Sequence, residues 1–418
     1  MISDSVGQAL LTHPEIKAGT ASFAAADENV WEQKSAYFPM LNVDGRAGRI
    51  NNNDDTTRGN SASGGGAASW IGQGSVTVTQ PLYTGFGIVN RVQGAKARAA
   101  AAANDLNGTA EDVALRAARA HLNLMRTKDL LDLASQFLSN IEGRRKSIEL
   151  MVKEGAADAA ELLQADEIQA AVKNTRLGYE ESYRQANADY IEVVGAEPVE
   201  ALEIGEHAWD ALIPATLDEA VAYATRKNSH ILAAENMVAA LTSETKAEKS
   251  GLSPRIDAEM SYTQKDQADV VGGELTSAQA LIKLGWNFSL GGGQFARIDK
   301  LQKQKEEAAA KRQGVIRRIE RDVRQKYTSM EIVDQQYNLL SDREKSAAAI
   351  LENYLAQFEG GKQSNLQLIS AHSKMFEAKA ARTDAQYRKI LSRFELLNTT
   401  GRLHEAFGGV KLGSKQKG

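Results

Sequence analysis

The sequence predicts an α+β membrane protein in which each half of the chain carries one β-hairpin and one very long helical hairpin. Three observations lead there. Two long runs of the chain lack proline, four segments alternate apolar with polar residues, and the first half of the chain repeats in the second.

The six prolines, at 14, 39, 81, 198, 214 and 254, leave 82–197 and 255–418 free of them. Proline removes a backbone donor and clashes with the preceding turn, so such runs permit uninterrupted helices. Ala, Glu, Gln, Lys, Arg and Leu, the strong helix formers, dominate both runs. In the second, Ile316, Ile319, Val323, Tyr327, Met330, Val333, Tyr337 and Leu340 recur in steps of three and four, close to a coiled-coil pattern. The first run reads likewise through Leu115, Ala118, Leu122, Met125, Leu130, Leu133, Phe137 and Ile141. At 1.5 Å per residue a helix over 293–359 spans about 100 Å, far beyond a compact domain.

Each run breaks at a matching place. Val152-Lys153-Glu154-Gly155-Ala156-Ala157-Asp158 aligns with Phe358-Glu359-Gly360-Gly361-Lys362-Gln363-Ser364 at an offset of 206, which also pairs Leu162 with Leu368, Ala165 with Ala371 and Gly195 with Gly401. Upstream an offset of 215 pairs Val6 with Val221, Ile16 with Ile231 and Pro39 with Pro254. The difference between the offsets falls between Pro39 and Gly155, where the polar, Gly-rich segment before Trp70 is the obvious place for it. A glycine between two helical patterns reads as the turn of an αα-hairpin. The expected organisation is a repeat over 1–195 and 217–401, a linker at 196–216 and a tail at 402–418. The β-hairpins are expected at about 37–84 and 254–291, and the helical tips near 155 and 361.

After each mid-repeat proline the period switches to two. Leu41-Asn42-Val43-Asp44-Gly45-Arg46-Ala47, Ser75-Val76-Thr77-Val78-Thr79 and Ile256-Asp257-Ala258-Glu259-Met260-Ser261-Tyr262 alternate cleanly. The clearest segment places Ala280, Ile282, Leu284, Trp286, Phe288 and Leu290 on one face and Lys283, Asn287 and Ser289 on the other. Apolar-out, polar-in strands of about 9–11 residues are what a transmembrane barrel requires. Ile282, Leu284, Trp286, Phe288 and Leu290 are the candidate lipid face. The loops between strands are polar, at 51–66 and 264–276, and Tyr37, Phe38, Trp70, Tyr83 and Tyr262 sit near strand ends as interface girdles do. A small soluble sheet on a helical body is the competing reading. Four strands cannot close a barrel, and open edges are not tolerated in lipid. A membrane reading therefore requires assembly, to eight strands as a dimer or twelve as a trimer.

Composition removes other classes. With 50 basic and 54 acidic residues the net charge is −4, which leaves no basic footprint for nucleic acid. There is no cysteine, hence no disulfide, thiolate site or cysteine nucleophile. The six histidines never fall at helical metal-ligand spacing. No run of about 18 apolar residues predicts a transmembrane helix. The start, Met1-Ile2-Ser3-Asp4, lacks the pattern of a secretory leader. That leaves a cytoplasmic protein or a mature chain whose native signal peptide is absent. Gly64-Gly65-Gly66 and Gly291-Gly292-Gly293 lack the Lys-Ser/Thr of a phosphate loop. Arg317, Arg318, Arg321 and Arg324 interleave with Glu320 and Asp322, as on a solvated or salt-bridged helix face. No catalytic residue, metal site, cofactor or enzyme activity is expected.

The layout resembles the TolC family of bacterial outer-membrane efflux and secretion proteins, over nearly the whole chain. The resemblance rests on Ser3-Asp4-Ser5-Val6 with His13-Pro14-Glu15-Ile16, on Tyr37-Phe38-Pro39-Met40-Leu41 at the entry to the first strand, on Val78-Thr79-Gln80-Pro81-Leu82-Tyr83-Thr84-Gly85 leading into the first long helix, and on the tip glycines Gly155 and Gly361. It implies a homotrimer with a twelve-stranded β-barrel in outer-membrane lipid, continued by a coiled-coil α-helical tunnel in the periplasm. It further implies a passive exit duct that docks on a periplasmic adaptor (membrane fusion) protein and is driven by an inner-membrane ABC or other transporter. By position, Gly155, Ala156, Gly360, Gly361 and Lys362 would shape the tips and meet the adaptor, although helix capping alone also explains glycine there. The family's best-known member carries two aspartates, three residues apart, past its second tip. Gln367 and Ser370 stand at those positions, so that acidic ring is absent. Gln363, Asn365, Gln367 and Ser370 are the polar candidates for the narrow entrance, and Asp158, with Glu161, could supply charge from the first tip. Type I protein secretion is the expected role, since drug-efflux members are often anchored through an N-terminal cysteine; multidrug efflux and a soluble helical scaffold are the alternatives.

Overall fold

The computed structural model describes residues 1–52, 67–199, 202–205, 208–267, 274–287, 290–360 and 362–407. Helices α1 (Ile2–Thr12) and α2 (Pro14–Ser35) lead into strands β1 (Met40–Asn52) and β2 (Ala67–Tyr83). Helices α3 (Gly87–Lys153) and α4 (Ala159–Val194) form the first long hairpin. After a 3₁₀ turn at Ala208–Leu212, α5 (Leu217–Lys227) and α6 (Ser229–Lys249) precede a second 3₁₀ turn, Ser250–Leu252. Strands β3 (Arg255–Gln267) and β4 (Glu274–Gly285), helices α7 (Gly293–Glu359) and α8 (Asn365–Thr400), and a final turn of helix α9 (Leu403–Ala406) complete the chain.

Corresponding elements match closely. Helices α3 and α7 have 67 residues each, and α4 and α8 have 36 each. The α1/α2 kink falls at His13 and the α5/α6 kink at Asn228, 215 positions on, with φ −61° at both and ψ 132° and 127°. In the first case Pro14 forces the preceding residue into extended backbone and then starts the next helix. In the second no proline is present; the Asn228 side chain accepts from the His230 amide at 3.0 Å, as His13 Nδ1 accepts from the Glu15 amide at 3.2 Å. Gly195 and Gly401 end α4 and α8 with φ of 75° and 78°, the left-handed cap that glycine alone takes without strain.

The chain divides into two compact units. One comprises Met1–Ser22, Ala103–Ala233 and Gln313–Gly418. Its main core joins Ile2, Val6, Val113, Ala117, Phe394 and Leu397, with small residues allowing close helix approach. A second cluster holds Ile141, Ile148, Ala165 and Ile369, where the Phe137 and Phe376 rings stack at 4.7 Å. A buried relay crosses the first core. Ser5 Oγ lies 2.7 Å from Tyr190 Oη and 2.9 Å from His121 Nδ1, and His121 Nε2 lies 3.2 Å from the Glu203 carbonyl. That carbonyl only accepts, so Nε2 carries the proton and Nδ1 accepts from Ser5. Burial holds the His121 imidazole down to about 4, which keeps this arrangement neutral.

The other unit comprises Phe23–Ala102 and Ala234–Arg312. It contains one antiparallel sheet in the order β1-β2-β3-β4. Val30, Ala95 and Ala99 pack in its helical part, and Arg98–Glu244 and Arg297–Glu248 ion pairs tie helix to helix. Strand β4 ends at Gly285, short of the expected run to Leu290. Its partner β3 begins at Arg255, opposite Gly285, so the pairing ends there, and the Trp286 indole donates to the Leu252 carbonyl at 3.1 Å. Leu290 consequently stands in a turn, fully exposed, and Phe288 lies outside the described residues.

Candidate functional site

At the first helical tip Gly155, at φ 75°, donates to the Val152 carbonyl, and the Ala156 amide to the Met151 carbonyl at 2.8 Å. Nothing crowds a Cβ built on Gly155, so the backbone alone selects glycine there. Asp158 restarts the chain as the N-cap of α4 and accepts from the Ala160 amide at 3.1 Å. At the second tip the Gly360 amide reaches the Ala356 carbonyl and the Lys362 amide the Gln357 carbonyl; Gly361 lies outside the described residues. Ser364 and Gln367 form a capping box, each side chain bonded to the other's amide. Gly155, Ala156, Asp158, Gly360 and Lys362 are all exposed.

The polar entrance candidates divide. Gln367 and Ser370 are exposed and three residues apart, on one helix face. Gln363 is half-buried and donates to Gln357 at 2.8 Å. Asn365, by contrast, is only 3% exposed, with its amide against Met151 Sδ at 3.3 Å. A polar residue one position inside a helix reads as surface until a second hairpin covers it. Close by, the Arg144 guanidinium stacks over the Phe358 ring at 5.4 Å, and burial together with Arg144 lowers the His372 imidazole.

In the sheet, register sorts the two faces. Leu41 opposes Val78, Val43 opposes Val76, Val78 opposes Met260, and Ala258 opposes Ile282. Ile256 opposes Leu284, and with these neighbours it forms one apolar face, largely exposed. The reverse face carries Asn42, Asp44, Arg46, Thr77, Glu259, Ser261 and Lys283. Arg46 donates to Gln73 at 2.5 Å, and Lys283 pairs with Glu259 at 2.5 Å. A sheet mostly polar on one side, where Leu281 is also exposed, and apolar on the other fits between an aqueous lumen and lipid. Among the described residues β1 and β4 each pair on one side only.

The strand-to-helix turn after β2 is the feature that sequence reasoning missed. Gly85 (φ 59°) could carry no side chain without strain, because a Cβ would meet the Ser253 Cβ at 2.7 Å and the Ser250 carbonyl at 2.8 Å, while one on Gly87 would meet the Ser250 hydroxyl. Between them Phe86 takes φ 65°, the only positive φ at a non-glycine among the described residues. For a bulky residue that costs about 1–2 kcal/mol.

A family model of outer membrane efflux proteins matches residues 5–196 and 221–402. The chain belongs to the outer membrane efflux protein family. Among relatives, this outer membrane efflux protein is 21% identical over 417 residues to outer membrane efflux protein BepC of Brucella suis biovar 1 (strain 1330), across 96% of this chain and 85% of that one. Its fold matches the CmeC outer membrane channel of Campylobacter jejuni with a TM-score of 0.79 at 12% identity, over 98% of this chain and 90% of that one. It matches the outer membrane protein VceC of Vibrio cholerae with a TM-score of 0.77 at 16% identity, over 98% and 96%. At such identities the structural likeness is one of fold. Family membership places the efflux protein in the outer membrane, as the channel component of a tripartite export system.

Proposed function

We propose that three copies close a twelve-stranded barrel and a helical tunnel, which together act as a passive exit duct from a periplasmic adaptor and an inner-membrane transporter to the exterior. The observation that carries this is the four-stranded sheet, apolar on one face, with both edges unpaired among the described residues. In lipid each unpaired backbone group costs several kcal/mol, so β1 of one copy must pair with β4 of the next. Exposed Ile332 and Leu339 on α7, seven residues apart, and Leu163 and Leu177 on α4, fourteen apart, supply heptad-spaced apolar contacts for the same assembly. Within the duct, the two tips, 155–156 and 360–362, meet the adaptor, and Gln363, Gln367 and Ser370 with Asp158 surround the entrance. Two sequence copies, 1–195 and 217–401, supply the paired hairpins.

For cargo we favour a secreted polypeptide, as in type I export. The exposed entrance residues Gln367 and Ser370 are neutral, and an unfolded polypeptide carries charges of both signs past them. The description of the family and of BepC as efflux proteins favours small-molecule efflux as the second reading. Imaging of detergent-purified protein tests the assembly: particles with three-fold symmetry and a barrel at one end are expected, and monomers or two-fold particles would sink it. Deleting the chain's gene and assaying the medium for secreted polypeptides, and the cells for drug sensitivity, separates the two cargoes.

A further inference from the structure

We propose that α7 of one copy docks on the α2 and α4 of the next copy through two helix-interior glycines, Gly314 and Gly178, with Arg318 of the first copy pairing with Glu192 of the second. The inference rests on the ring of three copies proposed above and fixes its register.

Gly314 lies inside α7 and Gly178 inside α4, both exposed, and a Cβ built on either meets nothing within 4 Å. Glycine is disfavoured in a helix interior. Neither position has a positive φ, and no neighbour among the described residues excludes a side chain there.

The internal repeat supplies the missing neighbours. Inside the chain, α3 of the first repeat packs on α8 and on the start of α6 of the second. Gly108 lies against the His230 ring, where a Cβ would sit 2.8 Å from Cε1. Further along α3, Asn398 donates to Asp112 at 3.3 Å, Arg119 to Glu395 at 2.8 Å, Arg126 to Asp384 at 2.8 Å, and Tyr387 to Asp129 at 2.6 Å. A closed head-to-tail ring repeats this contact between the second repeat of one copy and the first repeat of the next.

The offsets of 206 and 215 convert each observed pair into one between copies. Gly108 on His230 becomes Gly314 under Glu15 of the next copy, so the glycine admits a side chain in both places. Asp112 with Asn398 becomes Arg318 with Glu192, and Arg119 with Glu395 becomes Gln325 with Asp189. Arg126 with Asp384 becomes Ile332 against Gly178, a large apolar residue facing a position without a side chain. Asp129 with Tyr387 becomes Gln335 with Glu181. No converted pair sets like charges together. The wider faces agree: α7 exposes Arg317, Arg318, Arg321 and Arg324, and the strip opposite exposes Glu15, Glu181, Asp189 and Glu192. Such complementarity selects one partner and one register.

The chain has no cysteine, so paired substitutions give unique crosslinks. Full-length protein in detergent carries Glu192→Cys with Arg318→Cys, or Glu181→Cys with Gln335→Cys, and is oxidised with copper phenanthroline. Both should give a disulfide-linked ladder of two and three copies on denaturing gels. Glu181→Cys with Thr328→Cys, one heptad out of register, should give several-fold less. Three-fold particles that fail to crosslink at 181/335 and 192/318 would overturn the register and leave the trimer standing. Monomeric particles without crosslinks would overturn the trimer reading as well. Gly314→Leu and Gly178→Leu give a second measurement. Each should cut the trimer fraction several-fold at unchanged helix content, while Gly143→Leu, at an equally open position on α3, should not. Normal trimers that lose adaptor binding in the first two variants would assign this face to the adaptor and refute the proposal.

Discussion

The C-terminal turn hangs on one buried carboxylate, and removing it should free that turn. Glu111, 4% exposed on α3, accepts from the Leu403 amide at 2.9 Å, the His404 amide at 3.3 Å and His404 Nδ1 at 2.7 Å. No other acceptor for these two amides is found among the described contacts. Hydrogen bonds to a charged group contribute about 1.5–3 kcal/mol each and do not add fully. The ion pair with His404 adds less than a sealed pair would, because the imidazole is about a third exposed. Glu111→Ala should therefore favour opening of α9 by about 2–4 kcal/mol, or roughly 30- to 1000-fold. Amide hydrogen exchange at Leu403 and His404 measures that opening directly. Glu111→Gln keeps the size and one acceptor oxygen, so its effect should be smaller. Unchanged exchange at both amides in Glu111→Ala would refute the reasoning.

The same pair predicts a pH dependence. The hydrogen bond to Glu111 raises the His404 imidazole above its ordinary value, with Glu405 assisting and burial opposing. A folded value above the unfolded one means the contribution is complete below the ordinary value of 6.5 and is lost as pH rises through the raised value. Protection of the two amides, corrected for intrinsic exchange chemistry, should fall on the alkaline side. Glu111→Gln should flatten that slope.

Three further outcomes are expected. Gln367→Asp adds an acidic ring in the assembled entrance, so divalent cations should block channel current more strongly; unchanged block would mean that position 367 does not face the pore. Gly155→Ala forces a left-handed backbone on alanine at a cost of about 1–2 kcal/mol; adaptor binding should weaken while thermal stability of the barrel, measured separately, stays constant. For His121, held by burial down to about 4 from 6.5, stability present above pH 6.5 should drain away as pH falls toward 4, on the order of 3 kcal/mol in all; His121→Gln should remove most of that acid dependence in unfolding scans.

The long helices were legible because nothing interrupts them. Helix α7 spans Gly293–Glu359 as its composition and proline-free run predict, and β1 and β3 begin directly after Pro39 and Pro254. What escaped the sequence depends on partners far along the chain. The end of β4 is set by where its partner strand begins, at Arg255 opposite Gly285. Asn365 is buried by Met151 of the other hairpin. Phe86 reads as an ordinary turn residue, and only Ser250 and Ser253 pressed against its neighbours reveal the strain. The Ser5–His121–Tyr190 relay joins three elements that no local pattern connects. Periodicity reports which face an element buries; it is silent about what that face meets.

That distinction also bears on charge at the tips. Asp158 and Ser364 occupy the same place in their hairpins, each capping a 36-residue helix through a side-chain oxygen. Aspartate and serine are nearly equivalent caps, so helix formation does not demand a carboxylate at 158. Its charge is free to serve a partner. Asp158→Ser should therefore leave helix content and stability within about 0.5 kcal/mol of the parent. Adaptor binding should weaken at low salt and lose much of its salt dependence, since the exposed carboxylate acts through a screened Coulomb attraction. If α4 frays while binding per folded molecule is unchanged, the carboxylate is a cap and nothing more.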